Sequence, residues 1–387
     1  MHDLSAELRI LETLVGFDTT SRSSNLALIE WVRGYAASLG LHAEAVQNAD
    51  GSKANLLLHA GPEVPGGIVL SGHTDVVPVD GQAWTSAPWE LTSRDGRYYG
   101  RGTADMKGFI ALALASLQSL DVRLLTKPLI IALSHDEEVG CLGAPALIEL
   151  LQKRFPAPAA VIVGEPTSMR VVVAHKGMRV FSVEVTGKEA HSSSVGLGIG
   201  VSAIETAVEL MARIGQWNAE AAAGANPDSA FRPRGTTLTV GKVEGGTAAN
   251  ILARRCRFMW DLRAEREADA DELEARFRTI AAQADARLRS MHPDCGVRIQ
   301  RLASAPPLEA DPAQPARALA RELTGDHGCG CVPFVAEAGL FQRAGLPAVL
   351  CGPGSIDQAH QPDEWIAHEQ LVAGRRFIRD VIARLRR

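Results

Sequence analysis

The sequence predicts an α/β fold in which a discontinuous larger domain carries a largely parallel sheet sandwiched by helices. A smaller α+β domain is predicted as an insertion. Two observations lead to this prediction. In the first half of the chain, short apolar runs alternate with segments of helical periodicity, as in parallel sheets covered by helices. After Gly177, apolar and polar residues alternate within the runs, which indicates a sheet with one solvent-facing side.

The elements of the larger domain follow from their patterns. Apolar residues at helical spacing predict helices at 4–16 and 25–39. Short apolar runs closed by Gly, Pro or polar residues predict buried strands at 56–58, 68–70, 129–133 and 160–163. A nearly all-apolar helix is predicted at 109–120 and an amphipathic one at 144–153. Near the C-terminus the pattern resumes with helices at 313–323 and 366–385 and a strand at 348–351.

The inserted domain is predicted to span 179–296, which leaves 1–178 and 297–387 for the larger domain. Its alternating strands are predicted at 180–185, 237–243 and 256–263. Its helices are predicted at 199–214 and 267–289, with a Gly/Ala/Asn/Pro-rich loop over 217–235.

Composition excludes several classes of partner. At 387 residues the chain is too long for one ordinary core. A formal charge of −5 with scattered basic residues gives no support for nucleic-acid or membrane-surface binding. No stretch approaches the roughly 20 apolar residues of a membrane span, and the N-terminus lacks a signal-peptide pattern.

The six cysteines show no framework spacing, so we expect reduced thiols in a cytoplasmic protein. Cys329 and Cys331 form the one close pair. A cysteine pair without two further soft ligands makes a poor zinc site, so we assign no metal to it.

Residues of metal-ligand type occur in five separate motifs. They are His73, Asp105, the adjacent pair Glu137 and Glu138, Glu165, and His360. Three of the motifs follow apolar strand-like runs, and the other two lie in Gly-rich segments. Two histidines and three carboxylates, with one carboxylate left over, suit a pair of borderline-hard divalent cations better than one. Taken singly, each residue has a structural explanation, such as a strand cap or a surface acidic run. Together they predict a two-metal hydrolase.

The carboxylates can have different roles. Adjacent side chains at a strand end point in different directions, so one of Glu137 and Glu138 can ligate a metal while the other accepts a proton from the attacking water. Asp75 lies two residues after His73 and can hydrogen-bond its far ring nitrogen. Asp105 can bridge two cations. A phosphate-binding loop is the competing interpretation of its Gly-rich segment, but the Gly-Lys-Ser/Thr ending is missing.

Two features of the inserted domain are candidates for substrate contacts. His191 ends a strand, and a Gly-rich segment ending at Asn250 precedes the strand that carries Arg263. A simple turn and a β-bulge are equally good local explanations.

With these motifs in order, the chain resembles the dinuclear-zinc aminoacylase/carboxypeptidase family of metallopeptidases over nearly its whole length. Ser71–Pro78, Tyr99–Gly108 and Asp136–Glu138 carry the family motifs. Phe17–Arg22 and Cys351–His360 are closer to a deacetylase subgroup that acts on N-acetyl amino acids.

The resemblance implies a ligand set. One metal would be held by His73, Asp105 and Glu165. The other would be held by Asp105, Glu138 and His360, so that Asp105 bridges. The cofactors implied are two divalent ions, with zinc preferred and cobalt as the alternative.

The resemblance also implies roles for the remaining residues. Glu137 would be the general base, Asp75 would act behind the metal ligands as the partner of His73, and the peptide bond after Asp105 would be cis. The inserted domain would form a homodimer, and His191 would reach the partner's active site.

For the substrate, the resemblance implies binding by Arg263, Asn250 and the backbone around Gly352 and Gly354. At 335–336 the chain has Val-Ala where a Gly-Thr pair is usual in the family, so the pocket near Glu337 departs from the pattern.

Two alternatives stay open at this stage. The amide could belong to a different N-acyl amino acid, as in succinyl-diaminopimelate desuccinylases, acetylcitrulline deacetylases, aminoacylases or dipeptidases. A non-catalytic metal-dependent binding protein on the same scaffold would require loss of a ligand or of the base, and all of these residues are present.

Overall fold

A computed structural model describes residues 4–386, so the predicted outer limits at 1 and 387 lie outside the described residues. The chain divides into two compact units. Unit 1 contains 4–174, 310–330 and 336–386, and unit 2 contains 175–309 and 331–335.

The described residues contain nine α-helices and fifteen strands. The helices are α1 (Ser5–Val15), α2 (Leu26–Ser38), α3 (Lys107–Ser116), α4 (Ala144–Arg154), α5 (Ala203–Ala223), α6 (Glu267–Met291), α7 (Pro315–Thr324), α8 (Ala338–Arg343) and α9 (His368–Arg384). The strands are β1 (His42–Gln47), β2 (Ala54–Ala60), β3 (Ile68–His73), β4 (Thr92–Arg94), β5 (Arg97–Tyr99), β6 (Leu129–Ser134), β7 (Ala160–Pro166), β8 (Val172–His175), β9 (Gly177–Thr186), β10 (Thr237–Gly245), β11 (Arg255–Ala264), β12 (Gly296–Ala305), β13 (Gly330–Val332), β14 (Ala348–Gly352) and β15 (Trp365–Ala367).

Unit 1 is built on a mixed sheet with a parallel centre. The strand order is β1-β2-β6-β3-β7-β14-β8-β13. The four central strands, β6, β3, β7 and β14, are parallel to one another, and the pairs β1/β2, β2/β6 and β8/β14 on either side are antiparallel. Every residue of the four central strands is buried, so both faces of the sheet are covered. This explains why these strands appear in the sequence as continuous apolar runs.

Helix α3 lies unusually close to the centre of this sheet, because two glycines make room for it. A Cβ built at Gly164 on β7 would lie 2.1 Å from the Phe109 ring, and one at Gly72 on β3 would lie 3.0 Å from Met106. The close approach brings the loop before α3 to the carboxyl ends of β3 and β7.

Unit 2 is an antiparallel sheet covered by helices, as the alternating pattern predicts. The strand order is β10-β11-β9-β12, and buried and half-buried residues alternate along β9 and β11. The buried faces of α5 and α6 join the core under the sheet. Trp260 lies at its centre, 4.5 Å from the Phe181 ring and 4.8 Å from the Phe277 ring between centroids.

Three predicted boundaries differ from the structure. Helix α5 begins at Ala203, where Ser202 accepts a hydrogen bond from the Glu205 N–H, and it continues through part of the predicted 217–235 loop. Strand β12 extends the sheet of unit 2 to residue 305, so the predicted limit at 296 ends the inserted domain too early. Residues 365–367 form a strand against β5 before α9 begins.

Within residues 4–386, no helix combines the length and the apolar character needed to cross a bilayer. None of the six cysteines, all of which lie in the described part of the chain, forms a disulfide. The Sγ atom of Cys329 lies 3.3 Å from guanidinium nitrogens of both Arg317 and Arg321.

We predict that Gly164→Ala lowers the free energy of unfolding by about 1–3 kcal/mol, because the new methyl group overlaps the Phe109 ring. Chemical denaturation of the metal-free protein measures this change. Gly34→Ala, in α2 with nothing within 4 Å of the added Cβ, is the matched control and is expected to be neutral or stabilising. Equal stability of the two variants would contradict the close packing of α3.

Candidate metal centre

The predicted ligands come from loops and strand ends at one edge of the central sheet. His73 is the last residue of β3, and Glu165 lies next to the end of β7. Glu138 follows β6, and His360 follows β14. The carboxyl ends of parallel strands share one edge, which is where ligands of open α/β sheets bind.

The structure brings all five side chains together in two groups of three. One group is His73, Asp105 and Glu165, and the other is Asp105, Glu138 and His360. Within each group the ligand-type atoms lie within 4.8 Å of one another. Asp105 belongs to both groups.

The two oxygens of Asp105 face different histidines. Oδ1 lies 3.0 Å from Nε2 of His73, and Oδ2 lies 3.3 Å from Nε2 of His360. The His360 Nε2 atom is also 3.0 Å from an Oε atom of Glu138. This is the arrangement that a carboxylate bridging two cations requires. The peptide bond between Asp105 and Met106 is cis.

The contact of Asp75 differs from the predicted one. Nδ1 of His73 is 2.9 Å from the backbone oxygen of Asp75 but 3.7 Å from its carboxylate, so the main chain is the closer partner of the imidazole. The carboxylate instead accepts the backbone N–H groups of Glu137 and Glu138, at 3.1 and 3.3 Å. The sequence does not reveal this role of Asp75, because the role depends on the local turn geometry.

Asp75 is in turn held by Ser21, whose hydroxyl donates to Oδ2 at 2.7 Å. Sequence reasoning did not single out Ser21. The sequence signal for Ser21 was its position in the Phe17–Arg22 motif, which lies far from the ligand residues in the chain.

Electrostatics at this edge are dominated by carboxylates. Burial and the nearby charge of Asp105 together raise the pKa of Glu138 to about 7. Burial also raises the pKa of Glu137 and of Glu165 well above the ordinary range, with neighbouring carboxylates adding to the effect. Oε1 of Glu165 is buried and has no hydrogen-bond partner within the described part of the chain. Additional positive charge would therefore stabilise this cluster.

The pKa values of the two histidines are also raised, which favours the charged form of each ring. Hydrogen bonds to Asp105 and Glu138 raise the pKa of His360 to about 10. Burial would lower the pKa of His73, but its hydrogen bond to Asp105 and the surrounding negative charge raise it well above the ordinary value. Imidazole and carboxylate ligands in this ratio suit zinc or a similar divalent ion, so the residues present fit two such cations.

Comparison with known proteins agrees with this geometry. A family model described as peptidase family M20/M25/M40 matches residues 69–384. The chain belongs to this family. It is a metal-dependent amidohydrolase of the M20 type. An acetylornithine deacetylase from Pasteurella multocida is 35% identical over 376 residues, covering 96% of this chain and 94% of the relative.

Solved structures share the M20 fold. A tripeptidase from Staphylococcus aureus superposes with a TM-score of 0.75 at 20% identity, covering 99% of each chain. A dinuclear metal-binding M20 peptidase from Bacillus subtilis superposes with a TM-score of 0.64 at 12% identity, covering 98% of each chain.

In unit 2 the predicted substrate residues fall into two places. His191 and Asn250 lie close together. The N–H of Ser192, the residue after His191, donates to the backbone oxygen of Asn250 at 3.0 Å. Arg263 lies on β11 opposite Met178, and its Nε is 2.9 Å from Asp261.

The length of β11 separates these places. Arg255 pairs with Thr186 at the end of β11 near His191, and Arg263 is eight residues further along the strand. At roughly 3.3 Å per residue this is about 26 Å. Unit 2 of a single chain therefore does not bring Asn250 and Arg263 together.

The predicted backbone contacts at Gly352 and Gly354 are already used in the fold. The Gly352 N–H donates to the Thr167 hydroxyl at 3.1 Å, and the Gly354 N–H donates to the Gln370 side chain at 3.2 Å. Glu337 precedes α8 and is 1% exposed, and burial raises its pKa to about 7.

We predict that metal uptake releases protons at neutral pH. His360, with a pKa of about 10, and His73, also raised, are protonated in the metal-free protein and must lose those protons to become ligands. Zinc affinity should therefore rise with pH between about 6 and 8. Titration calorimetry in two buffers of different ionisation enthalpy measures the proton release, and identical heats in both buffers would contradict the prediction.

Proposed function

We propose that the protein hydrolyses N2-acetyl-L-ornithine to L-ornithine and acetate, a reaction of arginine biosynthesis in the cytoplasm. The observation that carries the proposal is the pair of ligand groups sharing Asp105, with the spare carboxylate of Glu137 beside them. The substrate is proposed from the acetylornithine deacetylases that match nearly the full chain at 34–35% identity.

The residues would hold two divalent ions, zinc first and cobalt as the alternative. His73, Asp105 and Glu165 would bind one, and Asp105, Glu138 and His360 the other. When bound, such ions polarise a carbonyl oxygen and lower the pKa of water enough for attack at neutral pH.

Glu137 is the proposed general base. Its backbone is fixed by the Asp75 carboxylate, and its Oε1 lies 3.6 Å from the Cys141 sulfur. Burial and neighbouring carboxylates raise its pKa, which favours proton uptake, and bound cations would counter part of that shift. Glu137 would take a proton from the attacking water and deliver it to the departing amine.

His191 is suited to stabilise the oxyanion of the tetrahedral intermediate. Its Nδ1 accepts the Ser193 N–H at 3.2 Å, which leaves Nε2 as the ring nitrogen that can donate to an oxyanion. Arg263 would bind the substrate carboxylate by exchanging its contact with Asp261.

A homodimer would explain how Asn250 and Arg263, which lie far apart along β11 of one chain, can both take part in substrate binding. We propose that His191, together with Asn250, reaches the active site of the partner. Exposed apolar side chains surround the His191 loop and continue on α5 and on the edge strand β10. They are Val195, Leu197, Ile199, Ile204, Val208, Val243 and Ile251. Exposed apolar surface of this kind marks protein–protein interfaces.

We predict that Val208→Asp produces a monomer, because it places a charge among these apolar side chains. Light scattering coupled to gel filtration measures the mass. Gln216→Asp adds the same charge to an exposed position further along α5 and should leave a dimer. A monomeric unmodified protein would contradict the proposed assembly.

We predict that Glu137→Ala lowers turnover by about 10²–10⁴-fold, because the proton acceptor is lost. Zinc content, measured by atomic emission, should stay at the level of the unmodified protein. Loss of zinc in this variant would instead make Glu137 a ligand.

The test of the function is amine release from N-acetyl-L-ornithine by metal-free protein titrated with zinc or cobalt. N-succinyl-diaminopimelate and N-acetyl-methionine serve as competing substrates in the panel. Activity that rises with metal and is highest on acetylornithine supports the proposal. Metal-dependent activity mainly on another amide would assign the protein to a related amidohydrolase reaction. Metal binding without turnover of any substrate in the panel would contradict a hydrolase function.

A further inference from the structure

Glu364 is a buried carboxylate that holds the loop carrying Asp105. Its side chain is 1% exposed. Oε1 accepts the backbone N–H groups of Ala104 and Asp105 at 2.9 and 3.0 Å, and Oε2 accepts the N–H of Gly102 at 2.9 Å. Three backbone donors within four residues of one loop therefore converge on a single side chain, which fixes the direction in which Asp105 leaves the main chain.

Arg101 balances the charge of Glu364. Its guanidinium donates to Oε2 at 2.8 Å, and its side chain is also 1% exposed. The same guanidinium donates to the backbone oxygen of Gln361 at 3.2 Å and to the Gln82 side chain. Removing one partner of a buried ion pair is strongly destabilising, so the two residues hold each other in place.

Gln82 extends the contacts to the opposite side of the metal centre. Its side-chain nitrogen donates to the backbone oxygen of His360 at 2.9 Å. Arg101 thus joins two segments, the loop before α3 through Glu364 and the His360 segment through Gln361 and Gln82.

The second ligand group depends on this connection more than the first. His73 lies on β3 within its ladder with β6, and Glu165 lies on β7, which pairs with β3 on one side and with β14 on the other. His360 lies in a loop, with its backbone at φ 63°, and its side chain is 49% exposed. A loop ligand without a ladder needs other contacts to stay in position.

We propose that Glu364, Arg101 and Gln82 are positioning residues that set the separation of Asp105 and His360 and so the metal affinity of the Asp105–Glu138–His360 group. The inference rests on the proposed function, because it takes these three residues as ligands. Partners behind metal ligands typically change metal affinity by about 10–100-fold when they are removed.

The first test is Gln82→Leu, which removes the contact to His360 while leaving the buried ion pair intact. We measure zinc affinity by competition with a chromophoric chelator, in two backgrounds that each keep one ligand group. In Glu165→Gln, where the His360 group remains, Gln82→Leu should weaken zinc binding by about 10–100-fold. In His360→Ala, where the His73 group remains, it should have no effect.

The matched control is Gln152→Leu. Gln152 also donates its side-chain nitrogen to a backbone oxygen at 2.9 Å, that of Ala344, but it takes no part in the metal centre. This control should leave zinc affinity unchanged in both backgrounds. Equal effects of Gln82→Leu in the two backgrounds, or none in either, would overturn the positioning role.

Glu364→Gln is the second test. The amide keeps an acceptor for the loop but loses the charge that pairs with Arg101, so both zinc ions should bind more weakly, since Asp105 is shared. Unchanged affinity for both ions would contradict the role of Glu364. If the unmodified protein takes up fewer than two zinc ions, the proposed function fails rather than the positioning role.

Discussion

Repulsion among buried carboxylates is the constraint on which the rest of this structure depends. Asp105, Glu137, Glu138 and Glu165 meet at one sheet edge, and their negative charges cannot be buried together without compensation. The raised pKa values of three of them express that cost directly. Two protonated histidines relieve part of it in the metal-free protein. Two divalent cations would relieve it more fully, which supports the proposal of a metal centre at this cluster.

Two further carboxylates hold the backbone of the segments that carry these mutually repelling side chains. Asp75 binds the N–H groups of Glu137 and Glu138, and Glu364 binds those of the loop ending at Asp105. Each of these acids fixes main chain instead of facing the centre. The parallel strands supply the remaining rigidity, and α3 reaches the sheet only because Gly164 lacks a side chain.

The sequence was sufficient for the fold class and for predicting which five ligand-type side chains the structure brings together. Buried parallel strands are continuous apolar runs, so β3, β6, β7 and β14 could be located and their carboxyl ends placed together. Exposed strands such as β1 and β12 lack that signal, because few of their residues are buried. The role of Asp75 depended on a turn geometry that spacing does not reveal.

Long-range contacts account for the other differences. Glu364 lies four residues after His360, outside the motifs that drew attention, and its partners are about 260 residues away in the chain. The separation of Asn250 from Arg263 follows from the register of β9 and β11, which local pattern does not determine. Motif order showed which residues could act together but not which end of a sheet each one occupies.

The central claim is that two cations share Asp105 at this sheet edge. Anomalous diffraction at the zinc absorption edge, from crystals of the zinc-loaded protein, tests it most directly. The account predicts two peaks about 3.5–4 Å apart, one against His73 and Glu165 and the other against Glu138 and His360, with Asp105 between them. A single peak, or zinc bound away from Asp105, would contradict it.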